Sequence, residues 1–341
     1  MPTVINVISG KGGTGKTLLT AVLAEMLGNK GLNVLVVDMD IFVRGLTALL
    51  YFQKDESLKI TNENEWSVSD FFQNDLKGTD YVVSISRYRS FDVFPSVSVV
   101  NEILKFDIMP NSSIEANRIL GTILTRIPQK YDYIFLDSRA GYDELIGATH
   151  RKSNFSICVE EDDNISMVTS ENLISQLKNS SNTPILRIKN KTRQIQNTNA
   201  AMGLDFVGSI PFDADVMASF GTRNFWNEID RSLYKDYLTK VWNSLAKKMK
   251  LGDELPEDTR ISPIGVPKIE RQLSMLPSLK RVMFIYGIIL TLLGILLSSG
   301  IMKYNFIHNM LSNPLQIIGL VGTILGIILL LYSVLTREKK K

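Results

Sequence analysis

The eight residues Gly10-Lys11-Gly12-Gly13-Thr14-Gly15-Lys16-Thr17 combine the groups needed to hold a polyphosphate. The glycines let successive backbone N–H groups turn inward around an anion without Cβ clashes. Lys16 can reach the β- and γ-phosphates, and the Thr17 hydroxyl can ligate Mg²⁺. Three carboxylates supply the complementary chemistry. Asp38 and Asp40 close a second apolar run, and a carboxylate at the C-terminal end of a strand beside the phosphate loop faces the ligand crevice. Asp38 is expected to hold Mg²⁺ through water, and Asp40 to position or activate the attacking water. Asp137 ends the apolar run that begins at Tyr131, and such a carboxylate orients the metal through its bound water.

These groups need elements to position them. Val4–Ile8 is continuously apolar but for Asn6 and reads as a buried strand, and residues 18–27 read as a helix. The loop therefore sits between a strand and a helix, the context in which the pattern binds phosphate, and the helix N-terminus adds its partial positive charge. Residues 33–37, 91–100, 106–110, 131–137, 155–159, 184–188 and 207–213 read as further strand material. Residues 66–72, 166–178 and 232–250 read as helices. Alternation of this kind predicts an α/β fold with a mostly parallel sheet flanked by helices over residues 1–250. The basic cluster Arg87-Tyr88-Arg89 reads as an exposed loop, with a contact site as the alternative, and the acidic run Glu160-Glu161-Asp162-Asp163 as a solvated loop or helix start, with a cation site as the lesser reading.

Composition bounds the chemistry. The chain has 341 residues, enough for a sizeable core, and its net charge of +3 is too mild to argue for nucleic acid. A single cysteine, Cys158, excludes a disulfide framework and a cysteine-based cluster within one chain. The N-terminus lacks the pattern of a signal peptide, so the nucleotide-binding part is expected in the cytoplasm.

The C-terminal end is different. Residues 282–302 and 314–335 are apolar, free of charge, and long enough to cross a bilayer core as helices. Lys280 and Arg281 precede the first and Arg337, Lys339, Lys340 and Lys341 follow the second. The expected arrangement is a transmembrane helical hairpin within residues 281–341, both chain ends cytoplasmic and the loop from Lys303 to Asn313 outside. Residues 251–280, with four prolines, read as a linker.

With these motifs in place, residues 1–250 resemble the MinD/ParA family of ATPases, whose loop reads Lys-Gly-Gly-x-Gly-Lys-Thr. The resemblance rests on the loop, on Asp38-Met39-Asp40 followed by Arg44, and on Asp137-Ser138-Arg139-Ala140-Gly141. It implies ATP and Mg²⁺ as ligands and a homodimer in which Lys11 crosses to the partner's nucleotide. Lys11, Lys16 and Asp40 would then be catalytic. Gly10 through Thr17 would cradle the phosphates. Asn190 would read the base, Pro211 would lie beside it, and Thr17, Asp38 and Asp137 would serve the metal. Relatives often carry Pro at the position of Arg139, whose role the resemblance leaves open. It also leaves open an unknown protein partner and DNA, which scattered lysines on the last helix permit without indicating. The expected activity is ATP hydrolysis by a switch anchored in the cytoplasmic membrane. A nucleotide-gated membrane scaffold with little turnover is the alternative, and a bacterial tyrosine-kinase-like protein the lesser one. The cysteine count excludes an iron–sulfur carrier of the same superfamily.

Overall fold

The computed structural model describes residues 1–53, 57–73, 81–192 and 205–257. The chain runs β1 (Thr3–Ser9), α1 (Lys16–Asn29), β2 (Val34–Asp38), α2 (Gly45–Gln53), β3 (Glu65–Trp66), α3 (Asp70–Gln73), β4 (Val82–Val83), β5 (Ser86–Tyr88) and β6 (Phe91–Phe94). It continues through α4 (Ser113–Arg126), β7 (Tyr133–Ala140), α5 (Glu144–Lys152), β8 (Phe155–Glu160), α6 (Asn164–Ser180), β9 (Ile185–Thr192) and β10 (Phe206–Pro211). It then closes with α7 (Ala214–Ser219), α8 (Phe225–Arg231) and α9 (Tyr234–Met249). The main sheet has the order β10-β9-β8-β1-β7-β2-β6-β5. Every pairing in it is parallel except β5 with β6.

Alternation along the strands builds the two layers. Ile5 and Val7 of β1 face a core with Leu19, Val22 and Leu23 of α1 and Trp242 of α9. Leu35 and Val37 of β2 face the opposite layer, with Ile119, Leu120 and Ile123 of α4. Ile8 joins a third cluster with Leu173, Ile174 and Leu177 of α6. The register then places the chemistry. Asp38 lies opposite Asp137 across the β2–β7 ladder, and Val7, just before the loop, lies on the other side of Asp137.

Several expectations need correcting. Residues 106–110 form a 3₁₀ turn, Phe106–Ile108, rather than a strand. The strand expected over 91–100 ends at Phe94, and Pro95 follows it, a residue that cannot donate to a ladder. Arg87-Tyr88-Arg89 is not a solvated loop, because Ser86–Tyr88 pairs antiparallel with β6 and buries Tyr88. Arg89 takes a left-handed φ of 51° at the turn. The helix expected over 66–72 is shorter: Trp66 ends β3, the Ser67 hydroxyl donates to Asp70 Oδ2 at 2.6 Å while its carbonyl accepts the Asp70 N–H at 3.3 Å, and α3 begins only at Asp70. Residues 251–257, read as the start of a linker, pack back on the domain with Leu255 buried. The two apolar stretches 282–302 and 314–335, and the linker from 258, lie outside the described residues. Among the described residues no helix is long and apolar enough to cross a membrane.

Candidate functional site

The loop between β1 and α1 borders a cleft of about 540 Å³ at the C-terminal ends of the strands. Its lining includes Gly12, Gly13, Gly15, Lys16, Thr17, Asp40 and Arg139. Gly15 ends the loop with a φ of 86° and stands at the N-cap of α1, where no side chain caps the helix. The first N–H groups of α1 are thus left for an anion. A Cβ on Gly15 would lie 2.4 Å from Asn190 Nδ2, and one on Gly10 would lie 2.3 Å from the Thr169 backbone of α6. Glycine at these two positions is therefore a steric requirement.

Lys16 is buried, and its Nζ donates to Ser9 Oγ at 2.9 Å. Burial lowers the affinity of its amine for the proton, against the pull of Asp137 and Asp40. Thr17 Oγ1 donates to Asp137 Oδ2 at 2.7 Å. Asp137 Oδ1 is buried and has no hydrogen-bond partner. Burial, partly offset by Lys16 and Thr17, pushes the Asp137 carboxyl up to about 6. Burial and the neighbouring Asp137 push Asp38 up to about 7. Two buried carboxyls facing one another across a ladder, one with an orphaned oxygen, fit a cation better than they fit each other. Among the described residues no cluster of three or more His, Cys, Asp or Glu side chains forms a protein-only cage. The Thr17 hydroxyl beside Asp137 suits Mg²⁺, which is usually held by one or two protein groups together with phosphate oxygens.

Asp38 has a further task that the sequence did not disclose. Its Oδ2 accepts from the Thr47 N–H and hydroxyl, each at 2.8 Å, and so anchors the first turn of α2. Asp40 is half-buried at the cleft wall and accepts from the Val43 N–H at 3.0 Å. Arg44, at a φ of 60°, points away from the cleft. Its guanidinium donates to the carbonyls of Ile41, Val100 and Glu102, pinning the turn after β6 to that after β2. Arg139 pairs with Asp143 at 3.2 Å and stacks over Phe42 at 5.8 Å.

Lys11 is absent from the cleft lining. Its Nζ meets Glu161 Oε2 at 2.7 Å and Asp163 Oδ2 at 2.8 Å, and both raise its proton affinity. The acidic run is therefore ion-paired rather than merely solvated. Glu160 binds Arg187, Glu161 also binds Lys191, and Asp162 binds Lys189. Asp163 in addition caps α6 through the Ser166 N–H. Parallel pairing of β8 with β9 brings these opposite charges together, which a reading of either run alone could not show.

Asn190 is fully buried, and its Nδ2 donates to the Thr14 carbonyl at 2.8 Å, so β9 holds the phosphate loop from beneath. Lys191 was not singled out from sequence. It lines the cleft and donates to the Gly13 carbonyl. Pro211 ends β10, where the Phe212 N–H donates to the Thr192 carbonyl at 3.0 Å. Lys16, Thr17, Asp38, Asp40 and Asp137 thus converge, with Asn190 supporting the loop. Lys11 stands apart from them.

Known proteins share this fold. A family model described as an AAA domain matches residues 2–195. The chloroplastic septum site-determining protein MinD homolog of Arabidopsis thaliana is 23% identical over 228 residues, covering 64% of this chain and 66% of that protein. The septum site-determining protein MinD of Thermotoga maritima is 27% identical over 143 residues, 42% of this chain and 46% of that one. Among solved structures, MinD of Pyrococcus horikoshii complexed with Mg-ADP superposes with a TM-score of 0.52 at 19% identity, over 74% of this chain and 98% of that one. A plasmid partition protein of Borrelia burgdorferi bound to AMPPNP gives 0.51 at 22%, over 74% and 99%. A model matching more than half the chain, on a fold and loop of this kind, has one meaning: the chain belongs to the MinD/ParA family of P-loop ATPases.

Proposed function

We propose that this ATPase is a membrane-anchored switch in which two ATP-bound subunits pair face to face. The observation that carries the reading is the separation of the two loop lysines. Lys16 is buried in its own cleft, whereas Lys11 lies outside it on a surface pair with Glu161 and Asp163. A lysine so placed would reach a neighbouring subunit's nucleotide by leaving Glu161 and Asp163.

Within one subunit, Lys16 and the uncapped start of α1 would bind the β- and γ-phosphates, and Asp40 at the cleft wall would orient the attacking water. Thr17 and Asp137, with Asp38 behind them, would hold Mg²⁺, which neutralises charge on the phosphates when bound. Asn190 would support the loop and read the base beside Pro211. Hydrolysis would dissolve the pair, and a protein partner at the membrane would read the change.

The hairpin of residues 282–302 and 314–335 would keep the ATPase at the cytoplasmic face of the membrane whatever nucleotide it holds. Label applied from outside should then reach Lys303 but not the ATPase. Full-length protein in detergent tests the switch. Wild type is expected to hydrolyse ATP and to dimerise only with ATP. Lys16→Ala should lose both, and Lys11→Ala should lose turnover while still binding nucleotide. Undiminished turnover in Lys11→Ala would remove the dimer mechanism. ATP binding without turnover in wild type would favour a scaffold.

A further inference from the structure

The end of the sheet opposite the cleft has a character of its own. The strand starts are tied together there. The Thr3 N–H donates to the Asp132 carbonyl at 2.8 Å, the Asn33 N–H to Asp132 Oδ2 at 2.8 Å, and the Val4 N–H to Asn154 Oδ1 at 2.7 Å. Because the strands are parallel, each connecting helix runs back and ends at this pole. The helix ends are basic and exposed: Lys30 after α1, Arg126 at the end of α4, Lys152 at the end of α5 and Lys178 at the end of α6. Lys130 joins them before β7, and Lys247 lies in the last turn of α9. Several of these charges are paired. Glu25 and Asp92 are buried against Arg89 and against Arg87 and Lys130, Asp253 accepts from Tyr133 and pairs with Lys30 at 3.6 Å, and Glu254 pairs with Lys247 at 3.8 Å, so the positive character of the pole rests on Arg126, Lys152 and Lys178.

A basic last turn complements the helix dipole, and that alone would account for each residue singly. It does not account for where the chain leaves. After α9, Lys250 and Gly252 take left-handed φ values of 56° and 77° and reverse the chain. The Asp253 carbonyl then accepts from Trp242 Nε1 at 2.8 Å, and its carboxylate from the Tyr133 hydroxyl at 2.8 Å. Asn243 brackets Leu255, donating to its carbonyl at 2.8 Å and accepting from its N–H at 2.7 Å. Asp253 is thereby fastened at this pole beside the start of β7, and residues 255–257 turn back along α9 to Asn243.

We propose that this pole is a lipid-facing surface that binds the headgroups of an anionic bilayer, an inference that rests on the membrane-anchored reading above. The first apolar stretch begins about 25 residues after Glu257, so even a fully extended connection reaches no further than about 90 Å. A domain tethered that closely meets the bilayer at high effective concentration, where each lysine or arginine adds attraction to acidic headgroups. The pole at which the chain turns after α9 also carries the exposed cations. The cytoplasmic leaflet, rather than nucleic acid, is therefore the polyanion it meets first.

The test uses full-length protein in nanodiscs of phosphatidylcholine, with or without phosphatidylglycerol. Cys158 is fully buried, so an introduced cysteine takes the dye. Gln129→Cys reports the pole, and Ile114→Cys reports the other end of α4. A quencher sits at the headgroups. The expected result is about threefold stronger quenching at Gln129 in the anionic discs, abolished by high salt and by the combined Arg126→Glu, Lys152→Glu and Lys178→Glu variant, with Ile114 unchanged. Equal quenching in both lipids, equal quenching at both ends of α4, or indifference to the charge reversal would overturn the proposal. So would duplex DNA relieving the quenching at salt where the anionic discs still hold it. Failure to co-purify with phosphatidylcholine discs would instead count against the membrane spans. In that case flotation with phosphatidylglycerol vesicles, wild type against the triple variant, decides the pole separately.

Discussion

Asp137 and Asp92 are both buried carboxylates at strand positions of one sheet, yet they are treated in opposite ways. Burial raises the proton affinity of each. At Asp92 three donors outweigh it: the Tyr131 hydroxyl at 2.7 Å, Arg87 at 3.1 Å and Lys130 at 3.1 Å, and the carboxyl ends up below its usual range. At Asp137 the donors are too few, one oxygen has no partner, and the carboxyl is pushed up to about 6. The end of the sheet that holds the fold together is electrostatically satisfied. The end that binds ligand is left incomplete, at a cost to stability that a cation and phosphates would remove.

The largest effect that would sharpen this contrast is on turnover. Lys16→Ala removes the buried amine of the incomplete end and should lower ATP hydrolysis by about 10²-fold or more, measured as phosphate release, without unfolding the chain. Next come the two carboxylates themselves. Asp92→Asn should destabilise the ligand-free protein by about 1–3 kcal/mol in a thermal or urea melt, because its donors lose an ionised acceptor. Asp137→Asn should leave the ligand-free melt unchanged or higher and abolish the shift produced by Mg-ATP. If both variants melt alike with and without nucleotide, the contrast is broken.

Gly15→Ala should cost about 1–2 kcal/mol for its left-handed backbone and should weaken nucleotide binding as Asn190 is pushed off the loop. The effect furthest from the cleft is a pH dependence. His150 is buried with Nδ1 at 2.8 Å from Ser156 Oγ, and burial lowers its pKa to about 4. The folded state thus binds fewer protons than the unfolded one between about 6.5 and 4. Its contribution is present above the unfolded value and is lost as the pH falls through that window. The difference in stability between wild type and His150→Gln should therefore shrink on acidification. A constant difference would mean that His150 is not kept neutral.

Much of the cleft was legible because its chemistry is contiguous in sequence. Gly10 to Thr17 form one loop, and Asp38, Asp40 and Asp137 each end an apolar run that had to be a strand. What escaped depends on register. The Lys11–Glu161–Lys191 chain needs β1, β8 and β9 side by side, and neither charge run names its partner. Asn190 beneath Thr14 and Asp38 anchoring α2 are contacts across 176 and 9 positions, made by side chains that looked free for ligand. Arg44 matched a family position, yet its guanidinium is spent on backbone carbonyls. The misread strand at 106–110 shows that a short apolar run before a proline carries no secondary-structure signal of its own.

The central claim is that Lys11 serves the neighbouring subunit's site. Mixing two full-length variants tests it most directly: Lys11→Ala, whose own cleft is intact, and Asp40→Ala, whose Lys11 is intact. Each alone should be inactive. In mixed dimers the Asp40→Ala subunit lends its lysine to the intact cleft, so ATP turnover should rise well above that of either variant alone. A mixture as inactive as its components, or a Lys11→Ala protein that turns over unaided, would contradict the account.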